Sequence, residues 1–420
     1  MVGKTGCVWL PRALIVALAG SAIPAAGDTP QSVIIPLSVI NVPGIGTKIG
    51  IRIGLGGGPP KLYTFDTGSS GLYAAYNPAW WPSFTSLNVS IPQSYGSNLS
   101  LTAEGVSTLL TIPIEGGELN VTAEVGQIVS AGGNADGEAW MANVAAGNAP
   151  LYGMFYGDFG TGLVKPTNGL FAVLPQLPGN LSSGFSVQLG CGGGGPGSKV
   201  VVGLTKAMRD RVTTWVKMQG EKNAPPFPQS NRPSYTQALV AGTYSLSRTG
   251  ATYDFTAPTI LDTGGGTADI HQAPPLVVPD NLLNAAKNAI LDGTQFSLKS
   301  PPAAGTTGPG LDIAFVTGNT ADIDKVTVSD AKPAKPGDTP KAEVNAGLVP
   351  FFRYDVVFDV ENGNVGFAPC TSSAIPVNSP IPTLSTWAVG VLASALALFG
   401  ALAVSLRSRR RSGLIGTRDA

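Results

Sequence analysis

The triplet Asp-Thr-Gly occurs twice in this chain, each time directly after an apolar run: Leu62-Tyr63-Thr64-Phe65-Asp66-Thr67-Gly68-Ser69-Ser70 and Thr259-Ile260-Leu261-Asp262-Thr263-Gly264-Gly265-Gly266. β-Branched and aromatic residues before each Asp favour a strand, and Thr and Gly after it favour a tight, hydrogen-bonded turn. With 55 glycines in 420 residues, chance would supply roughly 0.1–0.2 copies of the triplet. A pair, one per half of the chain, therefore points to two related units. Two such loops set face to face would bring two carboxylates together.

The rest of the body reads as short strands and turns. Val33–Ile40 and Lys48–Ile53 alternate β-formers with polar residues, and further strands are expected at Leu119–Val129, Phe185–Leu189, Lys199–Val202, Thr213–Met218, Gly242–Leu246 and Tyr253–Phe255. Ser94-Tyr95-Gly96-Ser97-Asn98 falls between strand-like Ser86–Ile91 and Leu99–Ile112, the pattern of a hairpin with its tip near Gly96–Leu99. Asn362-Gly363 marks a second hairpin between Val356–Val360 and Val365–Phe367. The Gly-rich run Gly190–Gly197 lacks the Lys-Ser/Thr ending of a phosphate loop and reads as a turn. One helix is expected, Asn281–Asp292, capped by Asp280 and stopped by Gly293, with Leu282, Leu283, Ala286, Ala289 and Ile290 as its buried stripe. The expected class is all-β with few short helices.

The two ends carry targeting signals. Residues 1–27 have Lys4 and Arg12 ahead of the apolar stretch Ala13–Ala19 and small residues at Ala25–Gly27, the pattern of a secretory signal peptide. Residues 388–406 form an uncharged apolar run followed by Arg407, Arg409, Arg410 and Arg411, which predicts a membrane-spanning helix with a basic tail. Ahead of it, Ile381-Pro382-Thr383-Leu384-Ser385-Thr386-Trp387 resembles the IPTL-CTERM sorting signal of bacterial envelope proteins. That resemblance implies an exported protein, periplasmic or at the cell surface, anchored at least transiently through its C-terminal helix and handled by an exosortase-type enzyme. The expected divisions are 28–203 and 204–370 for two lobes, 371–380 for a linker and 381–420 for the sorting segment. Between the targeting ends stand 19 Lys and Arg against 25 Asp and Glu, a body charge of −6, which argues against nucleic-acid binding. With Cys7 in the signal, Cys191 and Cys370 remain as candidates for one disulfide, as suits an exported chain.

Phe65-Asp66-Thr67-Gly68-Ser69-Ser70-Gly71-Leu72-Tyr73 and Ile260-Leu261-Asp262-Thr263-Gly264 resemble the two catalytic loops of the pepsin-like aspartic peptidases. Ser94-Tyr95-Gly96-Ser97 resembles their flap, the hairpin that closes over substrate. Phe155-Tyr156-Gly157 and Asn345-Ala346-Gly347 sit where that family has its apolar-apolar-Gly segments, and Gly184–Leu189 and Phe352–Pro369 follow it as well. The resemblance spans residues 31–370 and implies a bilobal acid-protease fold acting on polypeptides with neither metal nor cofactor. It implies that Asp66 and Asp262 share a proton and activate a water, and that Thr67 and Thr263 brace loops shaped by Gly68, Ser69 and Gly264. Tyr95, Gly96 and Ser97 would cover the substrate, with Tyr73 behind Tyr95. The family has Ser or Thr after its second Asp-Thr-Gly, where a hydroxyl bonds the carboxylate. Gly265 stands there in this chain, so one hydrogen bond fewer is expected. The alternative from another class is an inactive relative that binds peptides or proteins at the envelope. His271, the only histidine, has no nucleophile-elbow Ser to work with and is expected to be a polar loop residue near the cleft.

Overall fold

The computed structural model describes residues 31–164, 169–190, 197–219, 225–235, 239–306, 308–318, 322–332 and 338–370. The signal segment, Cys191, the linker, the expected membrane helix and the basic tail lie outside them. Among the described residues the chain is mostly β-strand, and no helix is long and apolar enough to cross a membrane. Cys370 is disulfide-bonded.

Each half of the body repeats one strand arrangement around its Asp. In the first half Lys61–Asp66 delivers Asp66 and runs parallel to Gly157–Thr161, which pairs antiparallel with Ser70–Ala75, itself parallel to Gly117–Gly132. In the second half Ala251–Ile260 leads to Asp262 and runs parallel to Glu343–Asn345, which pairs antiparallel with Ala268–Gln272, itself parallel to Val326–Asp330. The register repeats too: Thr64, two residues before Asp66, faces Asp158, and Ile260, two before Asp262, faces Asn345. A six-stranded antiparallel sheet joins the halves, in the order Val33–Val42, Lys199–Val202, Gly184–Gln188, Tyr354–Asp359, Asn364–Pro369 and Thr214–Gln219. Its inward faces contribute Ile35, Phe185, Val187, Phe358 and Phe367 to an apolar core shared by both halves.

The expected flap hairpin is formed by Thr85–Ser94 and Ser100–Ile114. Its tip closes with Tyr95 N–H donating to Leu99 O (2.9 Å) and Asn98 N–H to Tyr95 O (3.0 Å). A smaller cluster that includes Tyr73, Ile91, Leu101, Trp140, Leu151 and Phe155 underlies it. The helix Ala135–Ala145 was not expected. Only Gly137, Trp140 and Val144 of its eleven residues are buried, so it has little of the apolar stripe that marks a helix in sequence. Its cap residue Asn134 accepts from Gly137 N–H (2.9 Å) and donates to Ser97 O (3.1 Å), tying the helix to the flap tip.

The helix expected over Asn281–Asp292 is absent. A 3₁₀ turn covers Asp280–Leu282, and the chain then folds back so that Leu283 bridges Ile290. Asn284 and Asn288 bond each other side chain to side chain (2.8 Å) around Lys287, whose φ is 55°. Leu282, Leu283 and Ile290 are buried as an amphipathic helix would bury them, whereas Ala286 is exposed. Pairing to the neighbouring strand, with Ile290 N–H donating to Val326 O (2.9 Å), overrides a helical propensity already weakened by three Asn.

Candidate active site

The two Asp-Thr-Gly loops interlock. Thr67 N–H donates to Thr263 Oγ1 and Thr263 N–H to Thr67 Oγ1, both at 3.0 Å. Each hydroxyl then donates to the backbone carbonyl before the opposite Asp, Thr67 to Leu261 and Thr263 to Phe65, both at 2.6 Å. All four bonds are buried, so the loops hold each other in one geometry. The glycines next in sequence are required by close approach: a Cβ on Gly68 would lie 2.5 Å from Asp262 Cγ, and one on Gly264 2.5 Å from Asp66 Cγ. Each carboxyl thus packs over the other loop's glycine.

Asp66 and Asp262 are hydrogen-bonded to each other at the centre of this arrangement. Burial holds the Asp66 carboxyl well above the usual carboxylate range, and the charges of Asp262 and Asp158 push it further, against the Gly68 N–H bond that lowers it. Asp66 Oδ1 accepts from Gly68 N–H (2.7 Å) and Ser69 N–H (3.1 Å), while Asp262 Oδ1 accepts from Gly264 N–H (2.7 Å). Two adjacent carboxyls, one of them raised so that it favours its protonated form, are suited to act as acid and base together.

The bond expected to be missing at Gly265 is supplied from elsewhere. Asn345 Nδ2 donates to Asp262 Oδ2 at 2.5 Å, and Asn345 Oδ1 accepts from Gly347 N–H at 2.9 Å. A Cβ on Gly265 would come within 3.2 Å of both Asn345 Oδ1 and Asp262 Oδ2, so the bare glycine makes room for the amide.

A second correction concerns the first apolar-apolar-Gly segment. Asp66 pairs with Gly160, not Gly157, so the triplet alongside it is Asp158-Phe159-Gly160, the counterpart of Asn345-Ala346-Gly347. Asp158 escaped the sequence reading. The shared pattern of polar, apolar and Gly in these two triplets is the signal that identifies it. Its carboxylate accepts from Thr64 Oγ1 (2.5 Å), Ser69 Oγ (2.6 Å) and Tyr95 Oη (3.3 Å). Burial pushes Asp158 up to about 6, against the lowering effect of these three hydroxyls, with the charge of Asp262 adding to the rise.

Tyr95 therefore reaches the floor of the site, while Gly96 and Ser97 line its rim. Buried Tyr73 belongs to the apolar cluster against which Tyr95 packs, and burial raises its hydroxyl. His271 lies on the strand Ala268–Gln272 rather than in a loop, between Asp269 (Nε2 to Oδ2, 3.2 Å) and Glu343 (Nδ1 to Oε1, 3.1 Å). Lys48, also unforeseen, donates from Nζ to Gly264 O. Asp158, Tyr95, His271 and Lys48 line one cleft of about 590 Å³ that runs past Asp66 and Asp262, and Lys332 of the second half donates to Asn98 Oδ1 at the flap tip (2.9 Å). Among the described residues no group of His, Cys, Asp and Glu could hold a metal ion.

Comparison with curated proteins returns no match. The IPTL-CTERM motif is detected at residues 379–411, which marks the chain as an exported protein directed to the cell surface and consistent with exosortase-type processing.

Proposed function

We propose that this protein is a bilobal, pepsin-like aspartic endopeptidase working at the cell surface. The observation that carries the reading is the pair of Asp-Thr-Gly loops, interlocked through Thr67 and Thr263, with the Asp66 and Asp262 carboxyls hydrogen-bonded at the floor of a cleft. A turn aspartate has no need of a second copy of its loop, nor of a hairpin tyrosine above it.

The chemistry follows from one proton on two carboxyls. A water between them gives a proton to the ionised carboxylate as its oxygen attacks the peptide carbonyl carbon, and the carbonyl oxygen takes the proton of the other carboxyl. As the resulting diol collapses, the C–N bond breaks: the carboxyl that took the water proton gives it to the leaving nitrogen, and one diol hydroxyl returns its proton to the other carboxylate, so that the dyad ends with one proton as it began. An extended polypeptide lying in the cleft would be covered by the hairpin that carries Tyr95.

The test is digestion of an unfolded protein by the purified body across pH 3–7. Cleavage should be abolished by Asp262→Asn and blocked by a statine-type transition-state mimic. Full activity in that variant would overturn the dyad. Statine-type binding without any cleavage would instead identify an inactive peptide-binding relative.

A further inference from the structure

Asp158 is a carboxylate that the hydrolytic dyad does not use. It is 5% exposed, close to the 8% of Asp66, and it lines the same cleft. Its place relative to the dyad is fixed by strand register. Asp158 lies two residues before Gly160, the partner of Asp66, which is about 7 Å along the strand and on the same face. An extended peptide repeats its own side chains at that spacing, so in a peptide laid along this strand with its scissile bond at Asp66 a neighbouring side chain would come down over Asp158.

The surroundings suit a cation. Asp158 is solvated by three hydroxyls and joins none of the ion pairs among the described residues. A buried carboxylate held by neutral donors alone gains strongly from a cation that can reach it. The walls of the cleft include Leu101, Trp140, Leu151 and Tyr152, apolar and aromatic surface suited to the methylenes of a long basic side chain. The lining carries six carboxyl groups against Lys48, Lys332 and His271.

The geometry points to Asp158 as the specificity-determining residue of the cleft, selecting a lysine or arginine side chain adjacent to the scissile bond. The Tyr95 hydroxyl occupies the carboxylate until that cation displaces it. This rests on the peptidase reading for the cut, but the selection itself can be measured without hydrolysis. Asp158 faces the carboxyls of Asp66 and Asp262 and the phenols of Tyr73, Tyr95 and Tyr152. With its own carboxyl held at about 6, the preference should be weak at pH 5 and strong at pH 7.

Two measurements test the assignment. Digestion of a peptide library at pH 7, read by mass spectrometry, should show Lys and Arg enriched at least tenfold at one position adjoining the cut, with the enrichment lost in Asp158→Asn. Separately, titration calorimetry at pH 7 with end-capped statine-type peptides that differ only in carrying lysine or uncharged norleucine beside the statine should give at least tenfold tighter binding of the lysine peptide, falling towards equality in Asp158→Asn. Equal binding of the two peptides by the unaltered protein, or an undiminished lysine preference in the variant, would overturn the role of Asp158. Absence of cleavage with a lysine preference intact in the calorimetry would overturn the peptidase reading alone.

Discussion

After Asp66-Thr67-Gly68 comes Ser69, whose hydroxyl is donated sideways to Asp158, whereas after Asp262-Thr263-Gly264 comes Gly265, and Asn345 reaches across to the carboxylate itself. Asp158 and Asn345 hold the same place in the strand register of their halves. The fold therefore conserves a position beside each carboxyl and leaves its chemistry free. In the first half a third acid results, and in the second a neutral amide donor. Neither half is a degraded copy of the other, because each satisfies its loop by its own route.

The largest expected effect treats the two halves alike. In the proposed mechanism Asp66→Asn and Asp262→Asn each remove a carboxyl that exchanges a proton with water, and each should lower the rate of hydrolysis by on the order of 10³-fold. Assay of a single peptide with both variants checks this. A half whose variant kept its rate would be a scaffold and not a partner.

The next effect separates the halves. Asn345→Ala removes the amide bond to Asp262 and should lower kcat/KM by about 10- to 100-fold, the range for a hydrogen bond to a charged group. Gly265→Ser in the same chain should restore much of that loss, since the space a Ser side chain needs is the space the amide leaves. Gly265→Ser alone should cost activity by crowding Asn345. Failure of the double variant to recover would show that Asn345 acts through something other than the Asp262 bond.

Third, the crossed threonines should weigh equally. Thr67→Val strands the Leu261 carbonyl and the Thr263 N–H, and Thr263→Val strands the Phe65 carbonyl and the Thr67 N–H, all buried. Each substitution should lower unfolding free energy by about 2–4 kcal/mol in urea titrations. A difference above about 1 kcal/mol between them would show that one loop is held by further contacts.

Much of this comparison is legible in the sequence where local chemistry and burial agree. The strand Lys199–Val202 matches its expectation residue for residue, and the flap tip falls at the expected Gly96–Leu99, because alternation and turn residues act over a few positions. Neither Asp158 nor Asn345 is legible by itself: each sits in a polar-apolar-Gly triplet whose meaning appears only when the two triplets are compared and their parallel pairing to segments roughly 90 residues away in sequence is seen. The Asn281–Asp292 stretch misleads for the same reason. Its apolar spacing fits a helix, yet Leu282, Leu283 and Ile290 are buried by a turn that a neighbouring strand stabilises.

The smallest effect uses a further inequality. Nine residues after Asp66 stands Ala75, buried and uncharged, whose N–H donates to Tyr156 O, whereas nine after Asp262 stands His271, clasped by Asp269 and Glu343. The hydrogen bonds to Asp269 and Glu343, followed by the charges of the same two groups, raise the imidazole to about 9 against the cost of its partial burial. A folded-state value above the unfolded one, about 6.5, means that the proton favours the folded chain. The added stability is complete below about pH 6.5 and is lost as pH rises through 9. Because the group is partly exposed, solvent screening limits the contribution to about 1 kcal/mol. Thermal unfolding at pH 6 and pH 10 should therefore show a decline in the unaltered protein that is reduced in His271→Gln, while Ala75→Ser in the first half leaves the pH dependence unchanged. A decline of equal size in both variants would assign the pH response to groups shared by the two halves and remove this last difference between them.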